Sequence, residues 1–139
     1  MKNRTFATLG LLALLATASA LGQERMRVDI PFEFSTGTTA MPAGEYTVTQ
    51  SEQSGLTNLA CYTCKVNVRF ITHQVGSYST RDGSSKLVFH KYGDKYFLSS
   101  VWKSGSGIGH ALPTSNAERE VSLSASLAPT SQVVLFALR

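Results

Sequence analysis

The sequence predicts an all-β fold, mainly antiparallel, as a small sandwich or partly open barrel with one short helix. Three observations predict it. Residues 26–34 alternate apolar and polar side chains without a fault. Residues 86–102 read as two strands joined by a tight turn. Short apolar segments recur between turns marked by Gly and Pro, and a helix start is written near the end of the chain.

Ahead of these elements, the N-terminus reads as an export address. Lys2 and Arg4 form a basic head, Phe6 to Ala16 an apolar run, and Ala18-Ser19-Ala20 a small-x-small pattern. This is the three-part pattern of a secretory signal peptide over residues 1–20. Its apolar run is about half the ~20 residues that a membrane span needs. Cleavage after Ala20 predicts a single β-rich domain over 21–139, exported to the periplasm or the extracellular space. No second long apolar run follows, so no transmembrane segment is expected after cleavage. The chain holds 13 Lys+Arg against 9 Asp+Glu, and Lys2 and Arg4 leave with the signal. The small, scattered excess that remains predicts no nucleic-acid partner.

The elements follow in order. From Met26 to Phe34 the period is two, placing Met26, Val28, Ile30, Phe32 and Phe34 on one core face. Pro31 has no backbone donor, so this strand is expected at an edge or a bulge. Ser35 to Thr39 and Pro42-Ala43-Gly44 are turns. Glu45 to Gln50 is a strand with Tyr46 and Val48 on one face, and Gly55 opens a short strand from Leu56 to Ala60. Val66 to His73 is a further strand, alternating Val66, Val68 and Phe70 with Asn67 and Arg69. A polar loop around Arg81-Asp82-Gly83 precedes the hairpin. Gly93-Asp94 suits the centre of a tight primed turn, which sets Phe89 opposite Leu98 and Lys91 opposite Tyr96. That parity puts Leu87, Phe89, Tyr96, Leu98 and Trp102 on one face, and Val88, His90, Phe97 and Val101 on the other. Both faces are largely apolar, so the hairpin is expected to be central and covered on both sides. Lys103 to His110 reads as a Gly-rich loop. Ser115-Asn116-Ala117-Glu118 is a capping box that starts a helix running to about Leu123, and Gln132 to Leu138 is a closing strand.

Four segments carry a resemblance: Val28-Asp29-Ile30-Pro31-Phe32-Glu33-Phe34, Met41-Pro42-Ala43-Gly44-Glu45-Tyr46-Thr47-Val48, the hairpin from Leu87 to Leu98, and Ser115 to Glu120. In this order the chain resembles an uncharacterised family of small secreted β-rich proteins common in acidobacterial genomes. The resemblance implies export and a β fold, and it carries no catalytic residues. Where related chains often place an Asp-Gly type of turn after the third strand, this chain has Cys61-Tyr62-Thr63-Cys64.

Cys61-x-x-Cys64 allows three readings. A thioredoxin-like thiol site needs a surrounding βαβ pattern, which the sequence lacks. A zinc site needs two more ligands from among His73, His90 and His110. A disulfide closed after export fits the oxidising compartment and is the favoured reading. It demands a turn at Tyr62-Thr63, because in an extended strand the two Cα atoms stand ~10 Å apart with side chains on opposite faces. Gly105-Ser106-Gly107-Ile108-Gly109 does not have the dinucleotide spacing, and no serine-nucleophile elbow occurs. His90, on an apolar strand face, is expected to be a structural histidine held by backbone or a carboxylate, with Asp94 and Glu118 as the carboxylates to consider. The polar site candidates are therefore His90, Asp94, His110 and Glu118; no catalytic residue, metal ligand or cofactor is predicted. The functional expectation is an exported β domain with a non-catalytic binding or structural role, its partner a protein or small ligand of unknown identity. The alternatives are a small enzyme using His90 or His110 with a carboxylate, and a thiol–disulfide protein using Cys61 and Cys64.

Overall fold

A computed structural model describes residues 25–51, 53–76, 84–124 and 131–138. The expected signal peptide, the Arg81-Asp82-Gly83 loop and the tract ending at Pro129 lie outside them. Eleven strands and one helix follow in order: β1 (Arg25–Ile30), β2 (Phe34–Thr36), β3 (Thr39–Met41), β4 (Gly44–Ser51), β5 (Leu56–Cys61), β6 (Val66–Ile71), β7 (His73–Val75), β8 (Lys86–Tyr92), β9 (Lys95–Trp102), β10 (Gly109–Ala111), α1 (Asn116–Ser124) and β11 (Ser131–Phe136).

Two sheets form a sandwich. One is four-stranded in the order β1-β4-β5-β6; the other runs β11-β8-β9-β10-β7, with β2 joined to β9 and β3 to β2. Every pairing is antiparallel except the short parallel contact of β2 with β9. The inner faces meet in a core of buried side chains that includes Val28, Ile30, Phe34, Met41, Tyr46, Leu59, Leu87, Phe89 and Val101. Phe34 presents ring edges to both Tyr46 and Phe89, the preferred aromatic geometry. The Tyr46 hydroxyl, carried into this core, donates to the Pro42 carbonyl at 2.6 Å. Burial raises the Tyr46 phenol above its ordinary pKa.

Pro31 does more than mark an edge. The alternating run does not stay in one sheet: β1 ends at Ile30, and after Pro31-Phe32-Glu33 the chain continues as β2 in the opposite sheet. A missing donor ends the ladder there, while Phe32 stacks on Tyr96 with ring centroids 3.9 Å apart. The run from Val66 to His73 is likewise divided, at Thr72, into β6 of one sheet and β7 of the other. Thr72 is fastened at this corner by its N–H and hydroxyl, which donate to the Gly55 carbonyl at 2.8 and 2.9 Å. Gly55 itself has φ 64°, and a Cβ there would sit 2.9 Å from the Thr72 carbonyl oxygen.

The hairpin is central in its sheet, and its register at the turn is the expected one: Phe89 opposite Leu98 and Lys91 opposite Tyr96. Gly93 takes φ 63°, which a two-residue turn of the II′ type needs at its first central position. Further along, the expected face is wrong. Val88 pairs with Ser100 while Phe89 pairs with Leu98, so Ser99 is an extra residue, a β-bulge. The bulge inverts the parity: Val101, opposite Leu87, enters the core, and Trp102, opposite Lys86, goes to the outer face. There the Trp102 ring covers Gly109, where a Cβ would come within 2.6 Å of it. The supposed Gly-rich loop therefore ends in a strand, β10, which carries His110.

Candidate functional site

The bulge builds the most organised polar cluster among the described residues. On the outer face of the seven-stranded sheet, His90 of β8 pairs with Phe97 of β9. Ser99, two residues beyond Phe97 and displaced by the bulge, turns its hydroxyl to the same side. Its Oγ lies 3.1 Å from His90 Nε2. On the other side of the ring, His90 Nδ1 lies 2.7 Å from Glu118 Oε1. The Tyr92 hydroxyl donates to the same carboxylate oxygen at 3.0 Å. A carboxylate only accepts, so the imidazole carries a proton on Nδ1 toward Glu118, and in the neutral ring Nε2 accepts from Ser99.

Glu118 arrives on α1. Ser115 caps this helix, its Oγ accepting the Glu118 N–H at 3.1 Å. In a capping box the glutamate returns to its own helix. Here its carboxylate is turned onto the sheet, buried at 5 % exposure between His90 and Tyr92. Burial comes first in raising the Tyr92 phenol above its ordinary pKa, followed by its hydrogen bond to Glu118 and that residue's negative charge.

The other predicted residues lie elsewhere. Asp94 sits in the exposed hairpin turn and borders an open cleft of about 490 Å³ shared with Glu33, Lys95 and Glu120. It takes no part in the His90 cluster. His110 is buried on the inner face of the sheet, its Nδ1 3.5 Å from Thr72 Oγ1. Among the described residues, no three His, Cys, Asp or Glu side chains gather as a metal-binding set.

Cys61 and Cys64 are brought to bonding distance by a turn at the end of β5, with Cα atoms 5.4 Å apart. Lys65 closes that turn at φ 56°, and the Cys64 N–H donates to Cys61 Sγ at 3.1 Å. The pair packs on Gly44, where a Cβ would stand 3.3 Å from Cys61 Sγ.

Two sheet edges differ in how they end. The outer edge of β1 receives the tail that follows β11, the Leu138 N–H donating to the Arg27 carbonyl at 2.7 Å. The outer edge of β6 pairs with no strand among the described residues. Along β6, Val66, Val68 and Phe70 are half-buried against the core, while Asn67, Arg69 and Ile71 are exposed. Ile71 is 71 % exposed.

No protein-family model matches the chain, and neither a curated protein nor a solved structure is detectably similar to it. No helix among the described residues is long and apolar enough to cross a membrane.

Two chemistries are open to these parts. The hydrogen-bond order Ser99–His90–Glu118 is that of an activated nucleophile, its general base and the carboxylate that orients the base. The same bonds also pin α1 to the sheet, and the second bond from Tyr92 to Glu118 serves only that end. The cleft that Asp94 borders is not lined by Ser99 or His90.

Proposed function

We propose that this chain is an exported, non-catalytic binding module that takes up an extended segment of a partner protein along β6. The observation that carries the reading is the outer edge of β6, six residues long, ending its sheet and unpaired by any strand among the described residues. Unpaired N–H and C=O groups in a row are a template for a further strand, and backbone bonds supply affinity while alternate side chains supply specificity. The half-buried Val66, Val68 and Phe70 would be covered by apolar residues of the added strand. Arg69, with Lys65 just before the strand, favours an acidic residue on the exposed side. In this reading His90, Ser99, Tyr92 and Glu118 hold α1 in place, and Cys61–Cys64 fastens the turn that leads into β6.

Selection of extended peptides from a random display library tests it. Binders should alternate apolar and acidic residues and should protect β6 amides from hydrogen exchange. Binders that protect a different edge, or no binders at all, would count against strand addition.

A second reading, a small esterase, is favoured by the order Ser99–His90–Glu118. A fluorophosphonate probe distinguishes the two: attachment to Ser99 that disappears in His90→Gln would establish the enzyme. Absence of labelling on folded protein leaves the cluster as a structural clip, the result expected here.

A further inference from the structure

The outer face of the four-stranded sheet carries a feature that stands or falls separately from strand addition, because it uses the face of the sheet and not its edge. Alternation turns Tyr46, Val48 and Leu59 inward and leaves Thr49, Ser51, Asn58 and Arg69 outward. The helix described above lies on the other sheet, held there by His90 and Tyr92. Cross-strand register sets four outward side chains in one row: Arg25 beside Thr49, Thr49 beside Asn58, and Asn58 beside Arg69. Short side chains on the two central strands, between arginines on the two outer strands, make this row a trough. Toward β6 it deepens into an open cleft of about 210 Å³, lined by Thr49, Gln50, Ser51, Leu56, Asn58 and Arg69.

The chemistry of the lining defines what fits. Arg25 and Arg69 are exposed, and neither has an acidic partner among the described residues. Arg27, in the next row, is already bonded to Glu45. No described Asp or Glu lines the cleft. Thr49 and Ser51 bring hydroxyls, each able to donate and to accept. Leu56, 37 % exposed, adds an apolar surface beside them. A matching ligand therefore carries carboxylates, spaced hydroxyls and a C–H face. Arg25 and Arg69 stand three strand spacings apart, roughly 14 Å, so a chain of several units is needed to reach both. An extended peptide fits this face less well. The backbone groups of the central strands are already paired in the ladder, so a peptide's main chain would find no partners there.

We propose that this face binds an acidic polysaccharide of the uronate class. One uronate occupies the cleft with its carboxylate on Arg69, whose planar guanidinium donates two parallel hydrogen bonds. Its hydroxyls bond to Thr49 and Ser51, and its C–H face lies on Leu56. The chain continues across β5 and β4 and places a second carboxylate at Arg25.

The experiment is calorimetric titration of the exported protein at physiological ionic strength, where long-range attraction between exposed charges is screened. The probes are galacturonate oligomers, the same oligomers as methyl esters, and poly-glutamate of similar length. The acidic oligomers should bind saturably. The esters keep the ring hydroxyls and lose the charge, so they should bind about tenfold more weakly, the scale of one hydrogen bond to a charged group. Arg69→Gln should weaken the acidic oligomers by about tenfold, and Arg25→Gln should weaken long oligomers more than the dimer. Both replace exposed side chains, and melting curves verify that the fold is kept. Lys95→Gln, which removes a cation from the other sheet, should leave binding unchanged. No saturable binding of the acidic oligomers overturns the site. Equal affinity for acid and ester overturns the role of the arginines. Poly-glutamate binding as tightly as galacturonate overturns the sugar and makes the partner an acidic peptide. Equal losses in Lys95→Gln and Arg69→Gln would reduce the binding to unspecific charge attraction and overturn the trough.

Discussion

At the scale of single residues, burial and hydrogen-bond partners decide what each side chain is worth. Leu98 is 3 % exposed and packs in the core between the sheets. Leu98→Ala should cost ~2–5 kcal/mol, whereas Thr49→Ala, on the outer face of β4, should change stability by less than about 0.5 kcal/mol. Denaturant melts check both. His90 is the residue at which function and structure compete. His90→Gln leaves Glu118 with Tyr92 alone and should destabilise by roughly 1–3 kcal/mol, any loss of binding following only in proportion. A variant with unchanged melting and an abolished activity would transfer His90 to the catalytic reading. Tyr92 adds a pH dependence. Its phenol is held above its ordinary pKa, so the folded chain keeps that proton more tightly than the unfolded chain does. Its contribution is full below about pH 10, the unfolded value, and is lost as pH rises through the folded value. Urea melts taken up through this range should show falling stability, with a shallower fall in Tyr92→Phe.

At the scale of elements, what was legible depended on whether a strand's rule was local. Alternation in β1, the Gly93-Asp94 turn and the Ser115 cap are each written within a few residues, and each is found where the sequence puts it. The pairing of His90 with Glu118 is one of the two carboxylate pairings that the sequence allows, because it places both residues on elements though not in space. Ser99 was missed. Its distance of two from Phe97 already placed it on the His90 face, but nothing local announces a bulge. The bulge is a response to packing: were the Phe89–Leu98 register carried on unbroken, Ser100 would stand opposite Leu87 and Val101 would turn to the outer face. Deleting Ser99 should leave this core register intact, because it removes the extra residue itself. Val101 would stay opposite Leu87 and Trp102 opposite Lys86, so the deletion should keep a cooperative melt and, like the alanine variant, lose mainly the hydrogen bond to His90, about 1 kcal/mol. Breaks at Pro31 and Thr72 were illegible for a related reason. A run of alternating residues reads the same whether it serves one sheet or turns a corner between two. Only the partners, Tyr96 for Phe32 and Gly55 for Thr72, reveal the corner.

At the scale of the whole molecule, the sandwich is closed on one side and open on another. The tail after β11 bonds to β1 and seals that edge, and the chain passes from β6 to β7 around the opposite corner. This leaves the outer edge of β6, like that of β11 in the other sheet, without a paired strand among the described residues. The Cys61–Cys64 turn leads into that edge, so a bridge there would set the start of β6 more than it would stabilise the fold. Thiol titration of folded, exported protein should find no free thiols. Reduction should cost less than the ~3 kcal/mol of a 15-residue loop, because the loop is far shorter.

Amide hydrogen exchange along Val66 to Ile71 in the isolated protein tests the central claim most directly. An open edge predicts alternation: amides bonded to β5 exchange slowly, and their neighbours facing outward exchange as fast as those in exposed turns. Uniformly slow exchange along the whole of β6 would contradict the account, because it would mean that the edge offered to a partner is already occupied.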